Sequence, residues 1–430
     1  MKSKMLIAWA ILSLMSFSVL ARAQGLTIEE AQRLARDNYP AVKRLNLIDR
    51  ATAFSLDNIG KNWLPRLSAN MQATWQNRVT SLPDMWQELL KQVGGSYEGL
   101  HKDQYRIGIE VSQPVYDGGA IKASKAVEQA HGAALRQQAE VELYALRQRI
   151  NDLFFGVLLS EERIKLIEVL DTLLSANHQK LQVLVKNGVA LQADADAMKV
   201  EQLAAQQQRT TLTAAHNAYR QMLELFIGKK IGGKLIKPTA LQPVESDVRR
   251  PELLLFEAQV AEQKARLRQF NTQLRPTVGA FAQGFYGYPG LDMFKDMFSH
   301  RWSFNAILGL RVNWTLSAFY TRKNDKHRIA LAIDDINYAR ETFMLNTALQ
   351  SAQQSTTISQ YNQLIEHDEE IVTLRESIRK TAEAKLSGGV IDVSNLIEQL
   401  TKESEARINR ITHELEKLKA IYNLKTTLNQ

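Results

Sequence analysis

Few stretches of this sequence set residue types at the spacing that catalysis or metal binding needs. Gly228 to Lys234, GKKIGGK, has the G-x-x-x-x-G-K spacing of a phosphate-binding loop. Such a loop requires Ser or Thr next, as a magnesium ligand, and a strand in front. Leu235 follows instead, and helical spacing precedes it. A flexible connection is the better reading. Glu366 to Glu370, EHDEE, offers carboxylates and a histidine to a divalent cation. A solvated helix face accounts for it more simply. The 8 histidines are scattered without an H-E-x-x-H pair, no nucleophile stands out beside a base, and there is no cysteine. These residues predict no cofactor, no metal and no enzyme.

Main-chain chemistry is more specific. Residues 111–120 read VSQPVYDGGA. Pro114 lacks the N–H that a strand ladder uses, so it should stop the ladder. Val115 and Tyr116 then turn the chain. Asp117 can cap a helix, and Gly118 and Gly119 ease the bend. A paler copy, RVNWTLSAFYT, recurs at Arg311 to Thr321 without the proline and the glycines, leaving Ser317 as its best cap. Two further glycine turns, Asn187-Gly188 and Gly388-Gly389, supply the left-handed conformation that ends a helix.

The elements around these points have two different periods. In residues 67–76, Leu67, Ala69, Met71, Ala73 and Trp75 alternate with Ser68, Asn70, Gln72, Thr74 and Gln76. Tyr105, Ile107, Ile109 and Val111 alternate with Arg106, Gly108 and Glu110, and Phe304, Leu308, Leu310 and Val312 with Asn305, Gly309 and Arg311. The segment after Pro276 alternates less clearly. Strands are predicted at about 66–77, 104–114, 276–287 and 303–314. Strict alternation fits a soluble sheet with one buried face. It also fits a transmembrane barrel wall with lipid outside and a polar lumen. Trp63, Trp75, Tyr105, Tyr116, Tyr286, Tyr288, Trp302 and Trp314 lie at or near strand ends, as an aromatic girdle would. Four strands cannot close around a lumen, since small closed barrels need about eight. Three chains would supply twelve.

Between the strands run glycine-poor tracts with helical spacing: long helices over 120–186 and 320–386, and further helices over 190–228 and 391–428. A helix of 67 residues would measure about 100 Å. Ile150, Leu153, Val157, Ile164, Ile167 and Leu174 follow a heptad seam interrupted by Ser160 and Asp171, and Ile408, Ile411, Leu415, Leu418 and Tyr422 follow another. Such helices need neighbours along most of their length.

An internal repeat organises the chain. KNGV at Lys186 to Val189 matches SGGV at Ser387 to Val390, and the same offset sets Val111 on Val312 and Ile109 on Leu310. Repeat 1 is assigned to 24–230, a linker to 231–250 and repeat 2 to 251–430, each repeat reading helix, strand, strand, very long helix, tip, helix. Residues 1–23 read as a secretory signal peptide: Lys2 and Lys4 precede an apolar run from Leu6 to Leu20, and Ala21-Arg22-Ala23 fits a cleavage site. The formal charge of +8 is spread along the chain, which argues against nucleic acid as a partner.

These features together resemble the TolC family of outer-membrane efflux and secretion channels. The resemblance rests on the signal peptide, the two-copy layout, QPVYDGG, and the tips NGVALQADADAMKVEQ and GGVIDVSNLIEQLTK. It covers essentially all of the mature chain. It implies an α+β membrane protein: a homotrimer with a 12-stranded outer-membrane barrel, continued by a coiled-coil periplasmic tunnel, with 231–250 in its equatorial region. It implies a passive exit duct for efflux or type I secretion. The partners it implies are a periplasmic adaptor protein, an inner-membrane pump of RND or ABC type, and outer-membrane lipid. Asn187, Gly188, Val189, Gly388, Gly389 and Val390 match the tips that meet the adaptor, with valine where the family often has leucine. Asn395 and Glu398 match a ring of carboxylates at the tunnel entrance. Glu398 keeps the charge and Asn395 does not, so Asp392, Asp194 and Asp196 are candidates to compensate. Pro114, Asp117, Gly118 and Gly119 match the junction of barrel and tunnel. The alternative is a periplasmic coiled-coil scaffold whose strands form a soluble sheet.

Overall fold

The computed structural model describes residues 25–95, 97, 99–239 and 247–429. The proposed signal peptide and residues 240–246 of the proposed linker lie outside them. The elements are α1 (Ile28–Asn38), α2 (Val42–Gly60), β1 (Arg66–Trp75), α3 (Asp84–Gln92), β2 (Asp103–Tyr116), α4 (Ala120–Tyr144), α5 (Leu146–Lys186), α6 (Gln192–Ile227), α7 (Pro251–Thr272), β3 (Thr277–Tyr288), α8 (Met293–Phe298), β4 (Ser303–Asn313), α9 (Ala318–Ser387) and α10 (Val393–Leu428). The chain forms two compact units. One falls within residues 1–46, 137–255 and 338–430, the other within 47–136 and 256–337.

The first unit is helical, and its apolar seams are where the heptads set them. Ile28, Ala31 and Ala35 of α1 pack with Ile150, Phe154 and Val157 of α5, Leu223 and Ile227 of α6, and Leu415, Leu418 and Tyr422 of α10. A second core joins Ile167, Leu174 and Leu181 of α5 to Met198 of α6 and Leu396 and Leu400 of α10. The polar interruptions of the seam are satisfied. The Ser160 hydroxyl donates to carbonyls of its own helix, and Asp171 accepts from Gln206 at 3.3 Å. The expected single helix over 120–186 is interrupted at Ala145. Tyr144 beside it is anchored: its hydroxyl donates to the Thr426 carbonyl, and the Arg147 and Arg250 guanidinia stand 4.9 and 5.2 Å from its ring. Its counterpart α9 runs unbroken for 70 residues.

The second unit contains one antiparallel sheet of order β1-β2-β3-β4. Its register aligns Leu67, Val111, Ala282 and Leu308 across the four strands, and Ser68, Glu110, Gln283 and Ile307 beside them. One face is therefore apolar and the other mainly polar. The apolar face is exposed: Leu67, Met71, Trp75, Phe304, Leu308, Leu310 and Val312 are each at least 65% exposed. Among the described residues, no helix is long and apolar enough to cross a membrane.

Candidate functional site

The junction between β2 and α4 differs from the sequence expectation over Pro114, Val115 and Tyr116, which stay in the strand. Pro114 does not stop the ladder. The strand runs on to Tyr116, paired with Val278, through a bulge between Pro114 and Tyr116. The reason is positional. β1 begins at Arg66 opposite Ser112, so beyond Ser112 the ladder has β3 on one side only. A proline whose missing N–H faces no neighbour, next to a bulge, is tolerated. Asp117 caps α4 with both carboxylate oxygens, accepting from Gly119 N at 2.9 Å and Ile121 N at 2.7 Å. Gly118 and Gly119 both have positive φ, 68° and 88°, and the Arg275 guanidinium donates to the Gly118 carbonyl at 3.2 Å. At the paler copy, main-chain bonds form the turn: Ala318 N to Thr315 O at 3.2 Å and Tyr320 N to Ser317 O at 3.0 Å.

The tips share one backbone design. Gly188 N donates to Val185 O and Val189 N to Leu184 O; Gly389 N donates to Leu386 O and Val390 N to Lys385 O. This reciprocal pair of bonds satisfies the last carbonyls of a helix when the following residue is left-handed. Gly188 and Gly389 both take φ of 71°. Asn187 is the C-cap of α5 and Gly388 stands at the same place after α9. Val189 and Val390 project beyond, 72% and 71% exposed.

The carboxylates proposed for the entrance have local partners. Asp392 caps α10, accepting from Asn395 N at 2.9 Å. Asp194 accepts from Leu191 N at 3.2 Å at the start of α6, and Asp196 from Gln192 at 2.8 Å. Glu398 is paired with Lys402 one turn on. These contacts are what helix N-terminal turns provide. All are compatible with a charge left facing solvent.

Sequence reasoning missed the polar contacts between α9, α10 and α5. Arg379 is buried against Glu403 and also reaches Glu383 at 2.8 Å. Glu403 in turn holds Arg407, which binds Glu376 at 2.8 Å. Lys380 and Arg407 beside Glu376 hold its carboxyl below the usual range. His413 contacts Asp368 at 2.7 Å and Arg410 contacts Glu369 at 3.5 Å, so EHDEE faces α10 rather than bulk water alone. The spacing of Arg379 with Glu383 and of Glu403 with Arg407 was visible as i,i+4 pairs. The cross-helix pairing was not. Asn151, fully buried, donates to Asn423 and Thr426 and accepts from Gln32 at 2.6 Å. The Tyr422 hydroxyl donates to Glu29 at 2.7 Å; burial and that carboxylate push its pKa up. In the GKKIGGK stretch, Gly228 ends α6 in the left-handed conformation and Lys234 accepts from Leu26 N at 3.2 Å. The stretch ties the N-terminal segment to the helical unit.

No family model matches the sequence, and no curated protein does. Solved structures do match. The outer-membrane channel OprN is 16% identical, with 93% of this chain and 89% of that chain covered at a TM-score of 0.65. The outer membrane protein VceC from Vibrio cholerae is 12% identical, with 93% and 94% covered at 0.65. The open state of the Neisseria gonorrhoeae MtrE outer membrane channel is 13% identical, with 93% and 88% covered at 0.64. At these identities the likeness is one of fold, and it extends over nearly the whole described chain.

Proposed function

We propose that this chain, which shares the fold of the TolC family of outer-membrane channels, is an exit duct: a homotrimer whose three sheets form one barrel in the outer membrane of a Gram-negative bacterium. The observation that carries this reading is the open apolar face of the sheet. A soluble sheet buries its apolar side and exposes its polar one. Here Leu308 is 82% and Met71 79% exposed, while the charged residues Arg106 and Glu110 lie on the other side. Lipid is the solvent that reverses the usual arrangement. The unpaired edges of β1 and β4 favour joining to further copies, because an exposed edge is otherwise an aggregation site. Trp302, stacked on Tyr105 at 6.2 Å and tilted against Tyr286 at 5.5 Å, fits an interfacial belt with them.

In this reading solutes pass through without chemistry. The helices form the periplasmic tunnel, and Val189 and Val390 at the tips meet a periplasmic adaptor coupled to an inner-membrane pump of RND or ABC type. The two-copy division at 24–230 and 251–430, with its linker, is the architecture this assembly uses. Fractionation tests the proposal. A detergent-extracted trimer from the outer membrane that conducts ions in planar bilayers supports it. A protein recovered without detergent supports the periplasmic scaffold instead.

A further inference from the structure

The polar face of the sheet carries a pattern that a passive wall does not need. Strand β3 includes GAFAQGFYG, Gly279 to Gly287. The register sets Arg311 opposite Gly279 and Arg106 opposite Gly287. With no side chain in the way, each arginine leans across its glycine onto the phenylalanine two residues along β3. The guanidinium carbon of Arg311 is 4.8 Å from the Phe281 ring centre, and that of Arg106 is 3.9 Å from the Phe285 ring centre. Glycines on the neighbouring strands also make room for the phenylalanines. An added Cβ at Gly309 would meet the Phe281 ring at 2.9 Å, and one at Gly108 would meet the Cβ of Phe285 at 2.9 Å. Phe285 is only 1% exposed. The same arrangement of arginine, glycine and phenylalanine thus occurs twice on one face.

That face is also cationic. By the register its charged residues are Arg66, Arg106 and Arg311 against Glu110. No described carboxylate lies within ion-pair distance of these arginines, and Arg66 donates to Asn62 at 3.5 Å. A cavity of about 540 Å³ opens here, lined by Arg66, Phe281, Arg311 and Asp117 among others. The Asp117 carboxylate is already engaged by the two N–H groups of its helix cap.

We propose that this face is a recognition lining for aryl anions, meaning solutes with a carboxylate or sulfonate on an aromatic ring. A guanidinium held flat on a phenyl ring keeps its outer plane free to stack on a second ring. Its N–H edge remains free to bind an oxyanion at two points. Arg106 and Arg311 are the contact residues. Phe281 and Phe285 are positioning residues on which the guanidinia rest. The inference rests on the duct reading, because there this face lines the path of the solute.

The test uses the detergent-purified trimer in planar bilayers, with 1-naphthalenesulfonate as a blocker and methanesulfonate as its non-aromatic control. The double variant Arg106→Gln, Arg311→Gln should shift the reversal potential in a KCl gradient toward cations and weaken the naphthalenesulfonate block. Phe281→Leu with Phe285→Leu should leave the reversal potential unchanged and weaken the block about two- to fivefold. Arg106→Lys with Arg311→Lys keeps the charge without the flat plane, and should behave as the leucine variant does. Equal block by both sulfonates, or equal block in every variant, overturns the inference while leaving the duct intact. A wild-type trimer that passes no current overturns the duct and the inference together.

Discussion

Asp117, Gly118 and Gly119 illustrate how much a few residues decide where a strand becomes a helix. Both glycines sit at positive φ, where a β-branched side chain costs roughly 1–2 kcal/mol or more. Gly118→Val and Gly119→Val should therefore each lower the yield of trimer, whereas Ala318→Val, at the ordinary start of α9, costs a few tenths of a kcal/mol or so. Trimer yields by native electrophoresis check this, and equal yields from all three variants count against it. Tyr422 supports a pH prediction. Burial and the Glu29 carboxylate raise its pKa, so the folded chain holds this proton more tightly than the unfolded chain. The stabilisation is complete below a pH of about 10 and is lost as pH rises through the raised folded value. Tyr422→Phe should lower the thermal midpoint at neutral pH by the equivalent of about 1 kcal/mol. The difference from wild type should narrow in strong alkali; a difference that stays constant to high pH refutes the assignment.

At the scale of elements, the tips make the clearest demand. Each ends a long helix with a left-handed glycine and throws a valine into solvent. Because the chain has no cysteine, Val189→Cys and Val390→Cys would each place one unique thiol there. We expect both to crosslink an adaptor protein in the periplasm. Cysteine at Leu308, on the open face of the sheet, should not. A crosslink pattern identical at all three positions contradicts the tip assignment. The helices behind the tips are held in two ways. α5, α6, α10 and Ala382 of α9 share an apolar core, and α9 also meets α10 through Arg379, Glu403, Arg407 and Glu376.

For the whole molecule, the decisive property is the charge along the proposed path. Glu398 and Asp392 stand at the tip end, and both have structural partners. Asp392→Asn is the informative change, because asparagine caps a helix about as well as aspartate. Asp392→Asn with Glu398→Gln should thus keep the trimer intact and reduce cation preference in the bilayer. An unchanged reversal potential would leave these carboxylates as helix-start residues and nothing more.

What was legible in the sequence was local. Strand periods, the left-handed glycines at 188 and 389 and the cap at Asp117 depend on neighbours within a few positions, and the chain displays those directly. Tertiary structure decided everything that depends on register or on which element faces which. Pro114 remains in a strand because β1 happens to start opposite Ser112, a fact no local rule contains. Alternation alone left two solvents open for the sheet; the folded chain leaves its apolar side exposed. The pairing of Arg379 with Glu403 and of Arg106 with Phe285 joins residues far apart in the chain. Residue type says that an arginine needs a partner, but only the packing of helices and the register of strands say which partner comes within reach.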